Sequence, residues 1–276
     1  MTATEAPNVL LLGPASAGKT TLLVQLHGRL GRGDGVLRSR GAPKTLEPIE
    51  AGLARLQQGL PVEHTPKGTE VELDLPAATG SGDPFDIRLP EYAGEDLETV
   101  MRERRLPEQW RNLASKSDRW LLILRPSQQP ALLDVINKPI GLLAQGTNEE
   151  GQLDALPLDM WAVELLQTLI YARRLGGVAG DPPTLGIIIS CWDELDVPPG
   201  TTPSAVAAER LSLLSSFARA TWPPSGLTIY GLSAQGQPLD RDRPNEDFLD
   251  QGPGAMGWVV LPDGKNTSDL TVLACP

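Results

Sequence analysis

The chain has 276 residues, 40% of them hydrophobic, which is enough for one large domain or for a domain with an extension. Its formal net charge of −11 argues against nucleic acid or an anionic membrane as the main partner. There is no signal peptide, no apolar run near the ~18 residues of a membrane span, and only two cysteines, so we expect a cytoplasmic protein without a disulfide framework.

The first predicted elements are a buried strand, a glycine-rich loop and a helix. Residues 9–12 are an uninterrupted apolar run, and leucines at positions 22, 23, 26 and 30 recur at helical spacing. Between them, residues 13–20 match G-x-x-x-x-G-K-[ST] without departure. This order of strand, loop and helix is the context that a phosphate-binding loop requires; an ordinary glycine-rich turn is the alternative.

The residue types of the loop suit a nucleoside triphosphate. Gly13 and Gly18 allow backbone N–H groups to approach the β-phosphate, and the helix adds its positive N-terminal end. Lys19 is predicted to neutralise the β- and γ-phosphates, and the Thr20 hydroxyl to ligate Mg²⁺. The predicted nucleotide-binding residues of this segment are Gly13, Pro14, Ala15, Ser16, Ala17, Gly18, Lys19, Thr20 and Thr21.

Strand and helix patterns continue up to residue 124. Two segments alternate polar and apolar residues and are expected to pair antiparallel through a turn, and a third is a buried apolar run. The predicted strands are 70–75, 85–89 and 120–124, and the predicted helices are 49–60 and 95–113, the latter interrupted by Pro107. Residues 31–48 are expected to be a loop.

The second half of the chain begins with an expected insertion at about 126–152 and then alternates helices with buried strands. The predicted elements are a helix over 159–175, a strand over 185–190, a helix from the N-cap Thr202 to about residue 220, and a strand over 227–232. We therefore predict an α/β, three-layer fold with a mostly parallel six-stranded sheet that contains one antiparallel strand. Residues 1–236 form the predicted domain, and 237–276 a C-terminal extension, with a hairpin or strand near 258–261 that covers a sheet edge.

Polar residues follow the buried strands, at the edge where ligands bind in open α/β sheets. Glu91, three residues before Gly94, suits a contact with a magnesium-bound water, and the Gly94 N–H suits the γ-phosphate. Asp193 can accept hydrogen bonds from N1–H and the 2-amino group of guanine, a donor pair that adenine lacks. Ser233 and Ala234 form a small loop whose backbone N–H can reach the guanine O6.

These motifs resemble the Ras-like, translation-factor-related TRAFAC class of P-loop GTPases. Residues 13–20 match its first motif, residues 91–94 resemble D-x-x-G, residues 190–193 resemble N/T-K-x-D, and residues 233–234 match its small S-A motif. More narrowly, the loop at residues 59–65 and the pair Gly94-Glu95 resemble bacterial double-GTPase proteins. The resemblance implies the P-loop GTPase fold, GTP or GDP with Mg²⁺ as ligands, and a protein effector or activating partner.

The chain also departs from the family's pattern. Glu91 replaces an aspartate, Cys191 replaces a lysine whose stem packs on the base, and Glu95 stands where Ras-like members carry a water-orienting glutamine. The resemblance therefore implies hydrolysis that is slow or depends on a partner's arginine. Thr65 is predicted to be the switch threonine that reaches Mg²⁺, with Thr69 and Thr45 as the alternatives.

The predicted function is a magnesium-dependent switch protein that binds and hydrolyses GTP. Two other functions stay open: an ATPase or P-loop kinase-like phosphotransferase, and a nucleotide-gated scaffold with little hydrolysis. A helix-capping or loop carboxylate is the alternative reading of both Asp193 and Glu91. Basic residues at 102, 104 and 105 either grip phosphate, as in a kinase, or form a solvated helix face.

Overall fold

A computed structural model of the chain describes residues 8–63, 73–89, 106, 108–128, 157–178 and 180–275. Within these residues, nine strands form one sheet. They are β1 (Asn8–Leu12), β2 (Leu37–Ser39), β3 (Leu73–Thr79), β4 (Pro84–Leu89), β5 (Arg119–Leu124), β6 (Thr184–Ser190), β7 (Leu227–Ser233), β8 (Trp258–Val260) and β9 (Asn266–Thr267). Their order across the sheet is β2-β3-β4-β1-β5-β6-β7-β8-β9.

The five central strands are parallel. β1 pairs with β4 on one side and β5 on the other, and β5, β6 and β7 follow in parallel register. Every residue of β1 and β5 is buried, as expected of strands that are covered on both faces. Because these strands are parallel, their carboxyl ends meet at one edge of the sheet.

Antiparallel strands extend this core at both ends. β3 pairs antiparallel with β4, which confirms the predicted pairing. The six neighbouring strands β3-β4-β1-β5-β6-β7 correspond to the predicted sheet. The count of six was too low, because β2 joins β3 at one end and β8 and β9 follow β7 at the other. β8 corresponds to the strand expected near residues 258–261, whereas β2 and β9 have only three and two residues, too few for a period-two pattern. β2 was predicted as loop, although Leu37 is fully buried.

Helices cover both faces, which confirms the three-layer α/β architecture. The described helices are α1 (Lys19–Arg32), α2 (Glu47–Gln57), α3 (Glu108–Lys116), α4 (Leu158–Leu175), α5 (Pro203–Arg210), α6 (Ser212–Thr221) and α7 (Glu246–Gln251). One core joins α1 and the short 3-10 helix Leu270–Leu273 to the sheet. The opposite core joins α3, α4, α5 and α6 to the other face.

The helix predicted from Thr202 to about residue 220 is two helices. Thr202 does cap it, accepting a hydrogen bond from the Ala205 N–H at 3.3 Å. The helix breaks at Leu211, whose φ of −134° is not helical. A second cap starts α6: the buried Asp159 carboxylate of α4 accepts the Leu213 N–H at 2.9 Å and the Leu214 N–H at 2.6 Å. A cap supplied by a distant helix leaves no local sequence signal.

Among the described residues, none of the helices combines the length and apolar character that crossing a membrane requires.

Candidate nucleotide site

The glycine-rich loop connects β1 to α1 at the carboxyl edge of the sheet. Gly13 lies against β5 so closely that a Cβ there would be 2.4 Å from the Ile123 carbonyl oxygen, so only glycine fits. Gly18 precedes α1 with a φ of 92°, a left-handed conformation that also favours glycine. Both glycines of the motif are therefore required by the backbone path of the loop.

The Lys19 side chain folds back over this loop. Its Nζ donates hydrogen bonds to the Gly13 carbonyl at 2.8 Å and the Pro14 carbonyl at 2.6 Å. An ammonium group has three N–H donors, so one is left for a ligand. Burial lowers the pKa of Lys19 to about 8, and the side chain is still mostly charged at pH 7. A half-buried cation held in place by backbone carbonyls is suited to an anion that compensates its desolvation.

Ser190, the last residue of β6, ties the loop to the neighbouring strands. Its buried hydroxyl lies 2.8 Å from the Ala17 carbonyl oxygen and 3.0 Å from the Leu124 carbonyl oxygen, and its single hydrogen serves both. The phosphate loop and the ends of β5 and β6 are thereby held together. Sequence reasoning did not assign Ser190 a role, although it occupies the first position of the motif that ends at Asp193.

Asp193 lies on a 3-10 turn, Trp192–Glu194, directly after β6. The turn is braced from two sides. The Glu194 carboxylate accepts hydrogen bonds from Arg125 at 3.1 and 2.6 Å and from the Ser127 hydroxyl at 2.6 Å. The Trp192 ring lies on Gly231 of β7, where an added Cβ would be 2.3 Å from the indole. Asp193 is half-buried and therefore accessible to a ligand on a fixed support.

Cys191 begins this turn in a left-handed conformation, with a φ of 52°. Burial is the main cause that raises the pKa of its thiol to about 12. The thiol therefore stays protonated at neutral pH and is a poor nucleophile.

Ser233 is the last residue of β7, and Ala234 begins the loop that follows it. The Ala234 carbonyl accepts a hydrogen bond from Gln25 Nε2 of α1 at 2.9 Å. Gln25 is held in turn by Arg29, whose Nη1 donates to Gln25 Oε1 at 2.8 Å. Helix α1 is thus bonded at one end to the phosphate loop and along its length to the loop after β7. Sequence reasoning missed both polar residues, because they stand in an amphipathic helix with nothing to mark them as buried.

Arg29 also holds the C-terminal segment. Its guanidinium donates to the carbonyls of Met256 at 2.5 Å, Gly257 at 3.4 Å and Ser268 at 3.3 Å. Only 3% of Arg29 is exposed, and burial lowers its pKa to about 10. These bonds fix both sides of the β8–β9 hairpin to the helix that carries Lys19.

Four predicted site residues lie outside the described part of the chain: Thr65, Glu91, Gly94 and Glu95. Of the predicted metal ligands, Thr20 alone is described, half-buried in the first turn of α1 beside Lys19. Within the described ranges no cluster of three or more His, Cys, Asp or Glu residues could hold a metal by itself. A single hydroxyl fits a metal that takes its remaining ligands from phosphate and from other parts of the chain.

A glycine loop with a half-buried lysine, set between a central parallel strand and a helix, defines a P-loop nucleotide-binding protein of the α/β class. Comparison with protein families then identifies the particular family. The model of the Double-GTPase 1 family matches residues 10–274, almost the whole chain, and the chain belongs to this family. The predicted membership of the TRAFAC P-loop GTPases, and the narrower double-GTPase resemblance, are confirmed. The match includes the C-terminal segment with β8 and β9.

The chain is also similar to solved structures, at low identity. A bacterial selenocysteine-specific elongation factor, EF-Sec, is 11% identical with a TM-score of 0.39, and the match covers 84% of this chain and 26% of that one. The SRb-GTP/SRX signal recognition particle receptor complex of Chaetomium thermophilum is 16% identical with a TM-score of 0.39, and the match covers 86% of this chain and 94% of that one. The S. cerevisiae Ski7 GTPase-like domain, bound to GDP and inorganic phosphate, is 11% identical with a TM-score of 0.38, and the match covers 83% of this chain and 43% of that one. The match therefore spans only about a quarter of the EF-Sec chain and under half of the chain of the Ski7 GTPase-like domain.

Comparison with curated proteins gives no significant match.

Proposed function

We propose that this P-loop GTPase is a magnesium-dependent switch that prefers GTP and hydrolyses it slowly without a partner. The observation that carries the proposal is the Ser190 hydroxyl bond to the Ala17 carbonyl, at 2.8 Å. It joins the loop suited to phosphate to the end of β6, three residues before Asp193, the residue suited to guanine. Both halves of a guanine-nucleotide site would therefore lie at the same edge of the sheet.

The phosphate half consists of the loop and the first turn of α1. Backbone N–H groups of residues 15–21 would surround the β-phosphate, and the remaining N–H of the Lys19 ammonium would contact the β- and γ-phosphates. Thr20, Thr65 and Glu91 would hold Mg²⁺, which supplies charge neutralisation on the triphosphate. The partial desolvation of Lys19 supports its role, because a less screened cation stabilises the developing phosphate charge more strongly.

The base half consists of Asp193, Ser233 and Ala234. The half-buried Asp193 carboxylate would accept N1–H and the 2-amino group of guanine, and adenine would leave it unpaired. The loop after β7 would offer a backbone N–H to the guanine O6. The bond from Gln25 to the Ala234 carbonyl supports this role, because it fixes the position of that loop relative to α1.

The switch itself would involve residues outside the described part of the chain. The Gly94 N–H and the Thr65 hydroxyl would contact the γ-phosphate side of the site, and both loops would be released after hydrolysis. Glu95 cannot donate a hydrogen bond as a glutamine amide does, so we propose slow turnover that a partner's arginine accelerates. An effector protein would recognise the change of order in these loops.

The test is a titration of the protein with GTP and ATP in the presence and absence of Mg²⁺, followed by single-turnover measurement of phosphate release. We expect GTP to bind at least about tenfold more tightly than ATP, Mg²⁺ to strengthen binding, and Lys19→Ala to abolish it. Equal affinity for ATP and GTP would contradict the guanine preference and favour an ATPase or phosphotransferase. Binding without any phosphate release, even with the partner present, would favour a scaffold.

A further inference from the structure

A cavity of about 370 Å³ lies beside Asp193, between the segment that follows β6 and the β8–β9 hairpin. Asp193 and Trp192 line one side, and Trp258, Val260 and Asn266 of the hairpin line the other. The two sides touch at Gly264 of the hairpin turn, where a Cβ would lie 2.7 Å from the Gly200 carbonyl oxygen. The residue that we expect to recognise guanine therefore faces the C-terminal segment.

The cavity has the size of a small-molecule site and a mixed lining. Its walls combine two indole rings and aliphatic side chains with the polar side chains of Asp193, Thr201 and Asn266. Small-molecule sites occupy roughly 300–1,000 Å³ and use polar groups to fix the orientation of the ligand. The cavity is therefore large enough for a purine base.

The hairpin is held in a defined position next to the carboxyl end of β7. Trp258 is half-buried and pairs with Ser233, the last residue of β7. Arg29 bonds the Met256 and Gly257 carbonyls just before β8 and the Ser268 carbonyl just after β9. The wall that carries Trp258 and Asn266 is thus fixed to the same helix that begins at Lys19.

We propose that the nucleobase enters this cavity and that Trp258 and Asn266 are specificity-determining residues of the nucleotide site, an inference that rests on the proposed function. The Trp258 indole supplies a π-face on which a purine stacks. The Asn266 amide carries both a donor and an acceptor, so it can bond the O6 or N7 edge of guanine. Asp193 accepts the hydrogen bonds from N1–H and the 2-amino group of the same base. The C-terminal segment would then contribute directly to base binding in the nucleotide site.

The first experiment uses the unmodified full-length chain and 8-azidoguanosine triphosphate. After photolysis, digestion and mass spectrometry, we expect label on residues 256–267 or 192–201, and we expect excess GTP to prevent it. Label that GTP prevents but that lies only in other segments would overturn the proposal. Because the natural protein is used, the result does not depend on whether any variant folds.

The second experiment compares three variants of the hairpin by calorimetry with GTP and with inorganic tripolyphosphate. Trp258→Ala is expected to raise the Kd of GTP by at least about tenfold, and Asn266→Ala by about threefold or more. Tripolyphosphate has no base and contacts only the phosphate loop, which these variants do not change. Its Kd is therefore expected to change less than about twofold. Lys265→Ala is the matched control, because this exposed residue adjoins Asn266 but does not line the cavity.

Unchanged GTP affinity in both Trp258→Ala and Asn266→Ala would overturn the proposal. If Trp258→Ala fails to fold, the exposed Asn266 still decides, since truncating it removes no core packing. Failure of the proposed function is distinguishable: equal affinity of the unmodified protein for ATP and GTP contradicts guanine preference. In that case, labelling of the hairpin by 8-azidoadenosine triphosphate as well would still support the cavity as the base site.

Discussion

The Glu194 carboxylate accepts two hydrogen bonds from the Arg125 guanidinium, at 3.1 and 2.6 Å, next to the residue expected to recognise guanine. Both side chains are about three-quarters buried, at 26% and 22% exposure, so the pair is not a freely solvated surface contact. Arg125 directly follows β5, and Glu194 belongs to the turn after β6. The ion pair therefore attaches the turn that carries Asp193 to the end of β5.

Arg125→Lys is expected to loosen this turn, because lysine cannot reproduce a bidentate contact with a carboxylate. The Kd of GTP should rise by about tenfold, because the Asp193 carboxylate on this turn is no longer held in the orientation that binds the base. The Kd of tripolyphosphate should stay the same, since the phosphate loop does not depend on Arg125. Calorimetry with both ligands measures this difference. Arg38→Lys, on the exposed face of β2, is the control. Parallel weakening of both ligands would show that Arg125 supports the whole site instead.

Asp193→Asn tests base recognition directly. The asparagine carbonyl can still accept N1–H of guanine, but the asparagine NH₂ then faces the 2-amino group, which is also a donor. Xanthine has a 2-oxo group at that position, and this oxygen accepts a hydrogen bond from the asparagine NH₂. GTP affinity is expected to fall by about a hundredfold and xanthosine triphosphate to become the preferred ligand. Competition against a fluorescent nucleotide measures the ratio, and Asp181→Asn at an exposed position serves as control. An unchanged GTP-to-xanthosine-triphosphate ratio would refute the assigned role of Asp193.

The sequence predicted the parts of the site that are local in the chain. Gly13 and Gly18 could be recognised because a close approach and a positive φ each demand glycine. The parallel core followed from continuous apolar runs such as β5. What could not be predicted depends on side chains that meet across long separations. The bonds from Ser190 to Ala17 and from Gln25 to Ala234 join residues 173 and 209 positions apart.

The C-terminal segment shows the same limit. A strand near residues 258–261 was expected from its apolar run, but its contacts were not, because they come from an arginine 227 positions earlier. The buried Arg29 resembles any surface arginine of an amphipathic helix in the sequence. Its partners are backbone carbonyls, which every residue has. No pattern of residue types can therefore indicate that α1 holds the hairpin.

The Cys191 thiol provides a test of how enclosed the turn is. Burial, the largest cause, raises its pKa to about 12, so the thiolate fraction at pH 8 is very small. The rate of alkylation by iodoacetamide is expected to rise about tenfold per pH unit from pH 7 to 10 without a plateau. Mass spectrometry of the Cys191 peptide follows this rate, with the urea-unfolded chain as control. A plateau near pH 9 in the folded protein would show an ordinary, exposed thiol.

Gly231 allows the Trp192 indole to lie flat on β7, and replacing it tests the support of the base site. In Gly231→Ala, a Cβ placed 2.3 Å from the ring must displace the indole, because the strand backbone cannot move away. We expect a loss of about 1–3 kcal/mol in the free energy of unfolding, typical of overpacking, and weaker GTP binding with intact tripolyphosphate binding.

Gly28→Ala is the matched control for that substitution. Gly28 lies inside α1, and a Cβ there would meet no atom within 4 Å. Alanine should therefore stabilise the protein by about 0.5–1 kcal/mol through its better helix propensity. Urea denaturation measures both variants, and calorimetry measures their ligands. If Gly231→Ala were as stable as Gly28→Ala and kept full GTP affinity, the Trp192 contact would not position Asp193.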